Sequence, residues 1–136
     1  MCNTPAMSLS GDDLKRVPLF AELGDKQRKS IAGMMKERTF PAGAVVTVEG
    51  EQGVGFFVIA DGEAEVTVGG EPRRTLGPGD HFGEVALLGA QPRTATITAT
   101  TDLRCNGLTS WQFRPLVEKD ASLAWGLLQA LARMLG

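Results

Sequence analysis

Between residues 38 and 108 the apolar positions come in short runs, near 39–40, 45–48, 55–60, 64–68, 73–76, 95–99 and 103–108, and turn-forming residues separate them at 41–43, 49–50, 61–62, 69–70 and 77–79. Runs this short at such regular spacing predict an antiparallel sandwich or barrel. The cleanest alternation is 64–68, where Val66 and Val68 should face inward and Glu65 and Thr67 outward, which makes both valines ordinary core. On either side the period becomes helical. Ser10 followed by Asp13 resembles a capping box with Asp in place of Glu, opening a short helix that ends before Pro18. Asp25 caps a second helix in which Ile31, Met34 and Met35 recur at helical spacing as packing residues. Residues 111–118 and 121–135 read as two C-terminal helices, the second with Leu123, Leu127, Leu131 and Met134 or Leu135 on one stripe and Trp125 on another face.

These elements predict a mainly β domain with flanking helices. A disordered tail over 1–9 precedes a domain over 10–136, made of helices at 10–36, an antiparallel β-barrel at 37–110 and helices at 111–135. A chain of 136 residues suits one domain with a substantial core. The formal net charge of −2 argues against broad nucleic-acid binding, and Arg73 with Arg74 then reads as a solvated hairpin edge. Two cysteines, Cys2 in the tail and Cys105 in a strand, make no disulfide framework and are expected as free thiols in a reducing cytoplasm. No run approaches the ~20 apolar residues of a membrane span, and no signal-peptide pattern precedes the domain. His81 is the single histidine, so the several-histidine metal site of a jelly-roll enzyme is not expected. Hydrolysis of a phosphate ester would need an activated water, and neither metal ligands nor a base to make one stand out. The chain therefore reads as a binding module, with no metal and no catalytic residue.

The stretch over residues 82–99 carries the chemistry. Gly83 lets a backbone approach a ligand, and Glu84, Val85, Ala86, Leu87 and Leu88 favour one short helical turn that Gly89 ends. The first amides of such a turn have no partner inside it and carry partial positive charge, so a phosphate oxygen suits them. Arg93 follows the loop with a permanently charged guanidinium that holds two oxygens at once. Glu84 would repel a phosphate, but an ionised carboxylate accepts hydrogen bonds and so fits a neighbouring ribose hydroxyl. Thr94 adds a hydroxyl that suits either the phosphate or the base. A ribonucleotide with a compact phosphate meets all of these demands. Taken singly, Glu84 also reads as a helix-start carboxylate and Arg93 as its salt-bridge partner; together with Gly83 and Pro92 they favour a ligand site.

At this point the stretch resembles the phosphate-binding cassette of the cyclic nucleotide-binding domain family, which includes protein kinase A regulatory subunits, cyclic nucleotide-gated channels and catabolite activator proteins. The order Phe82-Gly83-Glu84, an aliphatic residue, Ala86-Leu87, a short loop and then Pro92-Arg93, a small residue and Ala95 follows the family pattern. Pro18-Leu19-Phe20, Pro41-Ala42-Gly43, Phe56 to Ile59 with Asp61-Gly62, and Leu76-Gly77-Pro78-Gly79-Asp80 also look like family positions. The resemblance implies a double-stranded jelly-roll barrel and a non-enzymatic receptor for cAMP, with cGMP as the second choice. It implies that Glu84 takes the ribose, that Arg93 and the amides from Gly83 to Ala86 take the phosphate, and that Val66 touches the base. A Thr at the place of Thr94 is associated with cGMP in the kinases of the family and is tolerated by its bacterial cAMP receptors, so Thr94 leaves the base open. The C-terminal helices are expected to carry the signal, with Trp125 as a lid and an effector protein or a second copy as partner. After Leu108 there is room for two helices, so the output is expected in a partner or in a longer protein of which this chain is a piece. The competing reading is an interaction module of the same fold that ignores nucleotides.

Overall fold

Aromatic and β-branched runs with glycine corners form ten antiparallel strands in the computed structural model, which describes residues 11–53, 55–88 and 91–136, and for Gln52, Gly53, Glu84, Val85 and Gln91 the backbone alone. The strands are β1 (Lys36–Phe40), β2 (Val45–Thr47), β3 (Gln52–Gly53), β4 (Gly55–Asp61), β5 (Ala64–Val68), β6 (Glu71–Leu76), β7 (His81–Phe82), β8 (Gln91–Pro92), β9 (Thr96–Ala99) and β10 (Leu103–Thr109). They make one sheet in the order β1-β10-β4-β7, a second in the order β2-β9-β5-β6, and the small pair β3-β8. Ile59, Leu103 and Cys105 from the first sheet meet Ala64, Val66, Leu76, Ile97 and Ala99 from the second in one apolar core. This is the antiparallel β-barrel that the turn spacing and the resemblance led us to expect.

The two-residue strands β3, β7 and β8 lie outside the sequence expectation, because two residues carry no periodicity. β1 starts three residues early, at Lys36, and is exposed along four of its five positions, as suits a charged edge strand. Val66 is buried, at 8% exposure, whereas Val68 is only half-buried. The reading of Val68 as plain core is thereby corrected: the sheet ends there and leaves its side chain at a cavity.

Residues 11–35 and 111–136 form a second compact unit. A 3₁₀ helix spans Gly11–Arg16 and another Pro18–Phe20, followed by α1 (Asp25–Met34), α2 (Ser110–Lys119) and α3 (Ala121–Leu135). The first helix does end before Pro18; the expected Ser10 cap, the 1–9 tail and Cys2 lie outside the described residues. The α1 cap is Gly24 rather than Asp25: the Gly24 amide donates to Gln27 Oε1 at 2.9 Å, and Asp25 falls in the first turn, 2.6 Å from the Arg28 guanidinium. Arg28 is itself buried and donates to the carbonyls of Phe20 and Leu23, stitching the preceding turn to the helix. Phe20 and Phe113 pack at 5.9 Å between ring centroids, and Leu14, Ile31 and Leu123 of the same unit are buried as well.

On α3 the buried positions are Leu123, Gly126, Leu127 and Ala130. The expected stripe is therefore corrected at its far end, where Leu131 is half-buried and Leu135 is 88% exposed. A Cβ at Gly126 would come within 2.8 Å of the Leu23 side chain, so small residues, invisible to an apolar-stripe search, set the approach of this helix. Trp125, on the opposite face, is 62% exposed. No helix among the described residues is long and apolar enough to cross a membrane.

Candidate functional site

The β unit holds a cavity of about 450 Å³ whose floor is the inner face of the second sheet. Cross-strand register places Thr47, Ile97, Val66 and Arg74 in one row across β2, β9, β5 and β6, and all four line the cavity. Arg93, Thr94 and Ala95 bring the wall up to β9, and His81, Phe82 and Gly83 close the far side. Two sequence-predicted groups that lie some ten residues apart in the chain, Gly83 and Arg93, thus face the same space, with Val66 beneath.

Arg93 is fixed twice. Its backbone exchanges hydrogen bonds with the turn at Gly50 and Glu51, donating to the Glu51 carbonyl and accepting from the Gly50 amide, each at 2.8 Å. Its guanidinium then donates through Nη2 to the Gly55 carbonyl at 2.7 Å. Gly83 has a φ of +84°, a conformation that L side chains rarely adopt. A Cβ there would also run into the Arg93 guanidinium and the Gly55 carbonyl. Beyond the close ligand approach expected of Gly83, the structure supplies a second reason for a glycine there, since the space it leaves open is where the arginine sits. Partial burial pushes the Arg93 pKa below its ordinary value by desolvation. No carboxylate among the described side chains pairs with it, and burying an uncompensated charge is costly. A neutral carbonyl orients this cation without neutralising it, so an anion entering the cavity would.

The expected cassette turn is a four-residue 3₁₀ helix, Glu84–Leu87. The Ala86 amide donates to the Gly83 carbonyl at 3.0 Å, closing the turn, so it is engaged within the protein. Ala86 and Leu87 are buried and anchor the turn from below. The side chains of Glu84 and Val85, and Gly89 at the expected end of the turn, lie outside the described residues. Thr94 is exposed on the cavity wall.

His81 is the first residue of the two-residue strand β7 beside the cassette, with its ring 6.1 Å from that of Phe56. Among the described residues no group of three or more His, Cys, Asp or Glu is placed to hold a metal ion. The sequence reading missed Arg73, Arg74 and Thr47 as lining residues. For the arginines a signal was present in Pro72: a proline cannot donate to a ladder and marks an edge strand or a bulge. The register of β5 on β6 slips there, pairing Val66 with Arg74 but Thr67 with Pro72.

The model of the cyclic nucleotide-binding domain matches residues 37–120, more than half of the chain. The chain belongs to this family. It is 42% identical over 106 residues to a cAMP-dependent protein kinase regulatory subunit of Yarrowia lipolytica, covering 76% of this chain and 28% of that protein. It is 37% identical over 108 residues to a cyclic nucleotide-gated potassium channel of Mesorhizobium japonicum, covering 79% and 30%. The chain spans less than a third of the length of either relative. Among solved structures, the N-terminal domain of a transcriptional regulator from Streptomyces coelicolor superimposes with a TM-score of 0.82 at 32% identity, covering 91% and 92% of the two chains. The catabolite activator protein of Thermus thermophilus gives 0.67 at 28% identity, covering 87% and 58%. In this family the module is regulatory, and the jelly-roll barrel with flanking helices is its fold.

Proposed function

We propose that this domain is a non-enzymatic receptor for a cyclic mononucleotide. The observation that carries the reading is Arg93, a partly buried cation aimed by the Gly55 carbonyl across the gap left by Gly83, with no carboxylate to pair with among the described side chains. The cyclic phosphate accepts from Arg93 and from the amides of Gly83, Glu84 and Val85; Ala86 joins them when its bond to Gly83 is shared. Glu84 accepts from the ribose hydroxyl, Thr94 donates at the rim, and Val66 supports the base. Relatives named for cAMP point to cAMP as the first ligand to try, although none of these contacts reads the base. The domain acts in the cytoplasm, and its signal passes through α2 and α3 to an effector protein or a second copy, Trp125 serving as a lid.

Ligand that binds the native state alone raises the melting temperature. Saturating cyclic nucleotide is expected to raise that of the protein, while 5′-AMP, its open-ring counterpart, does so far less. Arg93→Ala should weaken binding tenfold or more, since a charge-assisted contact contributes about 1.5–3 kcal/mol. Arg93→Lys should also weaken it, because a point charge lacks the planar fork. An unchanged melting temperature with every cyclic nucleotide would overturn the reading.

A further inference from the structure

The turn that grips the Arg93 backbone is itself held from two directions. Val48 to Glu51 form a β-turn, closed by the Glu51 amide donating to the Val48 carbonyl at 3.1 Å, with Gly50 at a φ of +86°. A type II turn requires that conformation at its third residue. All four residues are exposed, and an exposed turn of this kind opens easily unless something ties it down. Glu49 ties it twice. Its amide donates to Thr96 Oγ1 on β9 at 3.0 Å, and its carboxylate oxygen Oε1 accepts from the Gly69 amide at 2.9 Å. Gly69 and Gly70, at φ of +61° and +81°, are the two-residue tip of the β5–β6 hairpin, a loop that needs positive φ at both places.

Glu49 therefore joins two parts of the site. On one side Gly50 and Glu51 hold the Arg93 backbone, each at 2.8 Å. On the other, the Gly69 tip continues directly into Val68, which lines the cavity. Glu49 is not among the lining residues, so it acts through the turn and not on a ligand. A carboxylate makes a stronger acceptor for an amide than a neutral group does. An arginine whose backbone is already fixed loses less freedom when it takes up an anion, and binding is tighter by that saving.

We propose that Glu49 is a positioning residue of the nucleotide site, its carboxylate bracing the turn behind Arg93 against the tip of the β5–β6 hairpin. The role rests on the receptor reading of Arg93. Calorimetric titration of the intact chain with cAMP and cGMP, paired with residue-resolved amide exchange by NMR, tests it. Glu49→Ala should weaken whichever cyclic nucleotides bind by roughly three- to tenfold, and by the same factor for each, because the brace touches no base. Glu49→Gln, which keeps an acceptor oxygen, should stay within about twofold of the wild type. Thr96→Val, which removes the other tie, should weaken binding in the same direction as Glu49→Ala. In the ligand-free protein the Gly50 and Gly69 amides should exchange faster in Glu49→Ala, and in the wild type bound ligand should slow both, since coupling between two sites is reciprocal. Equal or tighter binding by a folded Glu49→Ala protein overturns the brace and leaves the receptor reading standing. So does an equal loss in Glu49→Gln, which would assign the effect to charge, or unchanged exchange at Gly50 and Gly69. Absence of binding by the wild type overturns both.

Discussion

At the scale of single residues the site is built around Arg93, a cation that a backbone carbonyl orients. Arg93 is oriented by the Gly55 carbonyl, and the absence of a side chain at Gly83 makes room for it. Gly83→Ala would meet both groups and would also strain a φ of +84°. We expect it to lower cyclic nucleotide affinity tenfold or more, at a stability cost of about 1–3 kcal/mol, read by titration alongside thermal melting; wild-type affinity in a folded Gly83→Ala protein would contradict the packing argument. Arg93 and Gly83 were legible in the sequence because residue type and spacing encode them. The Gly55 carbonyl was not, since any residue supplies one. Cys105 makes a separate case: it is buried without access to water, and desolvation pushes its thiol from the usual value near 9 up to about 11. The neutral thiol is favoured in the folded state, so its contribution to stability is complete below pH 9 and is lost as pH rises towards 11. The difference in unfolding free energy between the wild type and Cys105→Ala should therefore shrink over that interval, measured by denaturant titration at stepped pH; a constant difference would contradict it.

At the scale of elements, what the sequence hid was mostly short or irregular. The strands over 45–47, 55–61, 64–68 and 103–109 follow from alternation, whereas β7 and β8 consist of two residues each and depend on their partners. The bulge at Arg73 has no periodic signature, and only Pro72 hints at it. Both arginines are exposed on an edge strand, as the sequence reading has it, and the bulge also brings both to the cavity. In the helical unit the capping role fell to Gly24 because Gln27 reaches back to its amide, which released Asp25 to pair with Arg28. Arg28 in turn satisfies the carbonyls of Phe20 and Leu23 from a buried position. Arg28→Ala strands those acceptors, so a loss of ~2 kcal/mol or more is expected, measured by chemical denaturation. A change below ~0.5 kcal/mol, normal for surface positions, would show that the stitch contributes little.

At the scale of the whole molecule, family and fold were readable because the cassette order and the turn spacing agree, and the match over residues 37–120 bears them out. Base choice and output were less legible. Thr94 leaves the base open, and which face of α3 stays open emerges only from packing. That face carries Trp125 and Leu128, 62% and 56% exposed. A ligand shifts a conformational equilibrium only by its difference in affinity for the two states. If α2 and α3 carry the signal, saturating cyclic nucleotide should change amide hydrogen exchange in both helices as well as in the cassette; a change confined to the cassette would place the output elsewhere.

Whether Arg93 receives a cyclic phosphate is read by calorimetric titration of the purified chain. With cAMP and cGMP as ligands and 5′-AMP as the open-ring control, saturable one-to-one binding of at least one cyclic nucleotide is expected. That binding should be much weaker for 5′-AMP and weakened tenfold or more by Arg93→Ala. Equal affinity in the wild type and Arg93→Ala, or no binding heat together with an unshifted melting temperature, would contradict it.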